Sequence, residues 1–184
     1  MQRRLAKPPL RVQPTTLWEY PSQHYGEGQQ GDSRYVGATP SYVIQRYTKP
    51  GGLVVDPFCG SGTTLDVAKD TGRVARGFDL SPYRADIERA DARKLPLDSN
   101  TVDLVFMDPP YGDHIHYSDQ PDCIGKLSAY DPAYYRAMHR AIREASRVLA
   151  PGGVFGLYVC DYFEKKHGFA PVGFQLFMSI AESF

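Results

Sequence analysis

The stretch Val54 to Thr64, Val-Val-Asp-Pro-Phe-Cys-Gly-Ser-Gly-Thr-Thr, constrains the fold of this chain more than any other. Apolar β-branched residues run into Asp56, a Gly-Ser-Gly turn follows, and Thr63-Thr64-Leu65-Asp66-Val67-Ala68 reads as the opening of a helix. Strand, tight loop and helix N-terminus in that order suit a small anionic or zwitterionic ligand. Gly60 and Gly62 let the backbone approach it, and the first helical amides, without partners inside the helix, point at its negative group.

A second stretch, Val102-Asp103-Leu104-Val105-Phe106-Met107-Asp108-Pro109-Pro110-Tyr111, is an apolar run ending in Asp-Pro-Pro-Tyr. Two consecutive prolines cannot continue a sheet ladder, so the strand stops at Asp108 and leaves that carboxylate at its C-terminal end. In open α/β sheets ligands bind at that edge.

The first stretch resembles the nucleotide-binding loop of S-adenosylmethionine-dependent amino-methyltransferases, above all DNA methylases that modify adenine N6 or cytosine N4. Their Asp-Pro-Phe-x-Gly-Ser-Gly-Thr signature is present at every fixed position, with Cys59 in the variable slot. Asp-Pro-Pro-Tyr is similar to the catalytic motif of the same family, and the two together are far more specific than either alone. The resemblance implies an α/β, Rossmann-like class I methyltransferase: a mostly parallel sheet flanked by helices, binding S-adenosyl-L-methionine. It implies that Asp56, Phe58, Cys59, Gly60, Ser61, Gly62, Thr63 and Thr64 hold the cofactor, and that Asp108, Pro109, Pro110 and Tyr111 carry the chemistry.

Three further cofactor contacts follow from the resemblance. Ala38 to Tyr47 reads as a short helix, with cap-like Thr39 and Pro40 at its start, and Thr39 is expected near the methionine end of the cofactor. Asp79 ends an expected strand Val74–Asp79 and is assigned to the ribose hydroxyls; the competing role is an N-cap for a helix opening at Ser81-Pro82. Asp91, in Ala90 to Leu97, is assigned to the adenine amino group, against a loop Asp that satisfies its own backbone.

Length and composition set outer limits. A chain of 184 residues suits one domain, with residues 1–38 as an extended Pro-, Gly-, Gln- and Tyr-rich arm and 39–184 as the catalytic domain. The arm carries Arg3, Arg4, Lys7 and Arg11, read first as a solvated terminus and second as a phosphate contact. Trp18, Tyr20 and Tyr25 are expected to cover the core or the cofactor pocket. No run is long and apolar enough for a transmembrane span, and no signal-peptide core follows the basic N-terminus. Cys59, Cys123 and Cys160 lack zinc-site spacing and fit a reducing cytoplasm. With 21 basic and 21 acidic residues the formal net charge is zero, which argues mildly against autonomous tight DNA binding.

Downstream of Tyr111, the loop Gly112 to Asp119 carries aromatics suited to an extracted base. His114-Ile115-His116 has no third ligand at a recognisable spacing, so no metal is expected. Asp131-Pro132 opens a helix whose core face is Tyr135, Met138, Ile142, Ala145 and Val148, with Arg136, Arg140, Arg143 and Arg147 as a stripe read first as a solvated face and second as a nucleic-acid track. Pro151-Gly152-Gly153 is expected to close it, Val154 to Cys160 to form a buried strand, and Pro171 to Phe184 a last helix. The family's final antiparallel strand has no residues left to form it. The expectation is an open sheet edge covered by a protein partner or by self-association, or a fragment of a longer protein.

The expected substrate is nucleic acid, DNA before RNA. Asp rather than Ser at position 108 leans towards N6-adenine over N4-cytosine. The alternatives are a tRNA guanine-N2 type enzyme, which pairs a Gly-x-Gly loop with Asp-Pro-Pro-Tyr-Gly, and a non-catalytic cofactor-binding subunit.

Overall fold

A computed structural model describes residues 38–184; the arm with Arg3, Arg4, Lys7, Arg11, Trp18, Tyr20 and Tyr25 lies outside the described residues. In chain order the elements are α1 (Ala38–Tyr47), β1 (Leu53–Asp56), α2 (Thr63–Asp70), β2 (Val74–Asp79), β3 (Ile87–Arg89), β4 (Val102–Met107), a 3-10 turn (Ile124–Lys126), α3 (Pro132–Val148), β5 (Leu149–Leu157), β6 (Tyr162–Glu164), β7 (Gly168–Ala170) and α4 (Val172–Ser183).

Five strands form one sheet in the order β3-β2-β1-β4-β5, every pair parallel. The chain winds outward from β1 to β3 and then returns to the other side of β1 with β4. That reversal opens a crevice at the carboxyl ends of β1 and β4, and the two sequence motifs begin at those ends.

Strand alternation builds a core on both faces. Val54 pairs with Leu104, and Val55 with Val105. Val54 and Leu104 pack with Ile44, Val67 and Ala68 of α1 and α2. Val55 and Val105 turn to the other face and meet Ala141, Ala145 and Val148 of α3. All ten are fully buried, and a buried Val or Leu contributes about 1.5–3 kcal/mol.

Several sequence expectations need correction. No helix opens at Ser81-Pro82: residues 80–86 are turns and bends. The pairing explains it, since Gly77 sits opposite Ile87 and Asp79 opposite Arg89. The chain doubles back by only roughly 7 Å between the two strands, too little for a helical crossover. Pro151-Gly152-Gly153 lies inside β5 rather than closing α3; Gly152 has φ +80°, and the pairing with β4 shifts register between Val102 and Leu104. β5 is the outer strand and half exposed, not buried. Tyr135 is only half buried, while Tyr134 takes the fully buried place. Among the described residues no antiparallel strand joins the sheet; β6 and β7 pair antiparallel as a separate hairpin.

Candidate active site

Asp56 ends β1 beneath the glycine loop. It is buried at 4% exposure, and its carboxylate accepts from the Phe58 amide at 3.0 Å and bonds the Thr64 side chain. Burial pushes its pKa up to about 7, against those hydrogen bonds and reinforced by the nearby charges of Asp108 and Asp79.

The loop turns on left-handed glycines, Gly60 at φ +48° and Gly62 at φ +88°, with Gly62 as the N-cap of α2. Asp79, at the end of β2, reaches across to it. One Asp79 oxygen accepts from the Gly60 amide at 3.0 Å and the other from the Ser81 amide at 2.9 Å. The expected capping role therefore exists, on a turn rather than a helix. Each oxygen keeps a second lone pair for a ligand hydroxyl.

Sequence reasoning missed Arg84. Its guanidinium takes both oxygens of Asp66 at 2.9 Å, pairs with Asp86 at 2.7 Å, and donates to the Ser61 carbonyl at 3.3 Å. A side chain at Gly62 would meet it, with the Cβ 2.6 Å from Nη1. The hydrogen bonds it donates to Asp86 and Asp66 raise its pKa above the ordinary value, so it stays charged. No local pattern announces a clamp whose partners sit on two separate segments.

Cys59 lines the pocket, and its thiol packs against Gly77 of β2. A Cβ on Gly77 would overlap the Cys59 Sγ atom, so Gly77 must be glycine for the loop to seat against β2. Burial pushes the thiol pKa far above its ordinary range.

Asp91 is occupied by its neighbour. The Arg93 guanidinium binds both its oxygens, at 2.6 to 3.0 Å, and the Arg93 amide donates at 2.9 Å. Burial pushes the carboxyl up, but the Arg93 hydrogen bonds outweigh it and hold Asp91 below the usual value. Asp91 still faces the pocket, so the loop role is observed and the adenine role needs a shared carboxylate. Of Thr39 only the backbone, inside α1, is described.

Asp108 follows β4 immediately, with Pro109 and Pro110 buried behind it. The Tyr111 hydroxyl donates to Asp108 Oδ1. The buried Tyr134 hydroxyl donates to the Pro110 carbonyl at 2.8 Å and so fixes the motif from α3. Gly112, at φ +111°, lets the chain pass Ala129, where a Cβ would stand 2.9 Å away. The His114 ring lies parallel to Tyr111 within 3°, centroids 6.0 Å apart, and Tyr117 meets His114 edge-on. His116 pairs with Asp119 at 3.2 Å, and among the described residues no group of three or more His, Cys, Asp or Glu is arranged to hold a metal ion.

One cavity of about 580 Å³ joins both motifs, lined by the glycine loop, Asp79, Asp91, Asp108, Tyr111 and the 114–118 loop. Gly62 stands just outside this lining, as the left-handed N-cap of α2. The volume falls in the range of small-ligand sites. An acidic acceptor at the end of β2, a glycine cradle and an apolar wall at Phe58 form a donor and acceptor set that fits a nucleoside-type cofactor.

The fold is that of the class I, Rossmann-like methyltransferases. Similar chains of known structure include the geranyl diphosphate C-methyltransferase of Streptomyces coelicolor A3(2), solved with S-adenosyl-L-homocysteine. It has a TM-score of 0.51 and 15% identity over 79% of this chain and 59% of that one. TrmN from Thermus thermophilus matches with a TM-score of 0.50 and 25% identity, over 67% and 38%. Residues 2–89, just under half of the chain, match the DNA methylase family; that match takes in the arm and ends with β3. The type II methyltransferase M.ScaI of Streptomyces caespitosus is 34% identical over 85 residues, 43% of this chain and 28% of that protein. The chain spans less than half the length of the curated relatives it matches.

Proposed function

We propose that this chain is an S-adenosylmethionine-dependent methyltransferase acting on the exocyclic amine of a base in DNA, adenine N6 before cytosine N4. The observation that carries the reading is the Asp108–Tyr111 hydrogen bond at the wall of a cavity that the glycine loop also lines. An exocyclic amine is a poor nucleophile because its lone pair is delocalised into the ring. Asp108 and the Pro109 carbonyl each accept one amine hydrogen and favour a tetrahedral nitrogen with its lone pair in line. Tyr111 fixes the Asp108 carboxylate through its hydroxyl and offers its ring to a base drawn out of the duplex. The bound cofactor supplies a sulfonium-activated methyl group. Asp79 takes the ribose, the 60–64 loop the methionine end, and Asp91, shared with Arg93, the adenine amine. Placement and preorganised dipoles do the work, with no prior deprotonation.

The same reading includes a protein partner or a second copy at the open β5 edge. Phe174, Phe177 and Met178 of α4, which packs on α3, are 70%, 59% and 52% exposed. A reducing cytosol suits its three free cysteines, and no helix among the described residues is long and apolar enough to cross a membrane.

The test is transfer from labelled S-adenosylmethionine to duplex DNA, single-stranded DNA and RNA, with the product nucleoside identified by mass spectrometry. N6-methyladenine in DNA is expected. N4-methylcytosine would change the base, methylguanine in RNA would replace DNA with RNA, and cofactor binding without transfer would leave a non-catalytic subunit.

A further inference from the structure

The β6–β7 hairpin is attached to the active-site wall rather than to the main sheet. Tyr130, just before α3, staples its two strands: the phenol donates to the Gly168 carbonyl at 2.6 Å and accepts from the Glu164 amide at 2.9 Å. Tyr162 of β6 lays its ring 5.6 Å from His114, which lines the cavity. The rings continue from Tyr162 to Tyr130 at 5.7 Å and from Tyr130 to His167 at 4.9 Å. A line of aromatic rings thus runs from Tyr111 in the pocket to the hairpin tip.

Pairing of Tyr162 with Ala170 and of Phe163 with Phe169 separates the ribbon into two faces. Tyr162 is on the pocket side. Phe163 and Phe169 point the other way and stand 66% and 62% exposed. Between the strands lie Lys165 and Lys166, both exposed and without an ion pair among the described residues, whereas the neighbouring Glu164 is met by His167 at 4.0 Å and Asp161 accepts from the Gly173 amide.

We propose that the pocket face and tip of this hairpin form the binding surface for the single-stranded polynucleotide segment next to the target base. Tyr162 supplies a stacking face, and Lys165 and Lys166 take phosphates. A polymer that places one base in the cavity must run its neighbouring nucleotides over the rim. On this side the rim is His114 and Tyr162, leading to two free cations. Aromatic faces beside a cationic track are what unpaired strands bind, with little dependence on sequence. The proposal rests on the nucleic-acid reading above and adds where the strand lies.

The test is fluorescence anisotropy of a labelled single-stranded oligodeoxynucleotide with the full chain, saturated with S-adenosyl-L-homocysteine, across a salt series. Lys165→Glu with Lys166→Glu should weaken binding at least about tenfold and flatten the log K against log salt slope by about 1.4, the loss of two single-strand phosphate contacts. Tyr162→Ala should weaken binding with the slope unchanged, and Tyr162→Phe should bind like the parent, which guards against misfolding. Phe163→Ser and Phe169→Ser, on the far face, should change nothing. Unaltered affinity and slope in the lysine variant overturn the proposal; so does a loss confined to the Phe variants, which would make the hairpin a protein contact. Hairpin-dependent binding without methyl transfer sinks the enzymatic reading and leaves the surface standing. Transfer to DNA by a lysine variant that binds like the parent does the reverse, and no oligonucleotide binding at all removes both.

Discussion

The Tyr134 hydroxyl donates to the Pro110 carbonyl across 2.8 Å in the buried interior, tying the 108–111 segment to α3. Prolines at 109 and 110 give the loop no amides of their own to anchor it, so this phenol supplies the hold that a ladder would supply elsewhere. Tyr134→Phe leaves a buried carbonyl without that donor and should destabilise the fold by about 1–3 kcal/mol. It should also lower the transfer rate while leaving cofactor affinity alone. Urea unfolding and single-turnover rates check both; an unchanged rate would mean the loop is held by its prolines alone.

Gly77 and Cys59 form a second pair that sequence separation conceals. Gly77→Ala drives a methyl group into the Cys59 thiol and should destabilise by about 1–3 kcal/mol through overpacking. Adding Cys59→Ala should restore most of that loss. A double-variant cycle in urea tests it, and additive effects would show that the two positions do not touch.

Asp56 gives the fold a pH dependence. Its folded pKa of about 7 lies above the ordinary 3.8, so the native state holds the proton more tightly than the unfolded chain. Its contribution to stability is greatest below about pH 4 and is lost as the pH rises through about 7, by up to on the order of 4 kcal/mol. Asp56→Asn should remove this slope, so that the variant gains stability relative to the parent between pH 5 and pH 8. A stability difference constant across that range would place Asp56 at an ordinary pKa.

How much of this was readable in the sequence depends on how local the cause is. The β1–loop–α2 unit and the end of β4 were legible because glycine, proline and β-branched residues act on their own backbone. The turn that replaces a helix after Asp79 was not, because it follows from the offset between β2 and β3, which no stretch of one strand encodes. Tyr134 and Tyr135 are adjacent in sequence, and only the packing of α3 decides which is buried. Arg84 joins Asp66 to Asp86, and Tyr130 joins β6 to β7, through contacts that exist only once the chain has closed. Pro151-Gly152-Gly153 looks like a helix stop and serves as a bulge, because helix termination and strand irregularity draw on the same residues.

Asp79 links the glycine loop to the pocket through the Gly60 amide. Asp79→Ala should weaken S-adenosyl-L-homocysteine binding at least about tenfold, the loss of a charged hydrogen-bond acceptor. Isothermal titration reads it directly. Unaltered affinity would confine Asp79 to holding the turn at Ser81.

The role proposed for Asp108 is on the amine and not on the cofactor. Its most direct measurement is single-turnover methyl transfer to DNA by Asp108→Ala, beside calorimetric affinity for S-adenosyl-L-homocysteine. Transfer should fall by at least about 100-fold with affinity within about a factor of two of the parent. Transfer at the parent's rate, or a loss matched by a loss of cofactor affinity, would contradict the assignment.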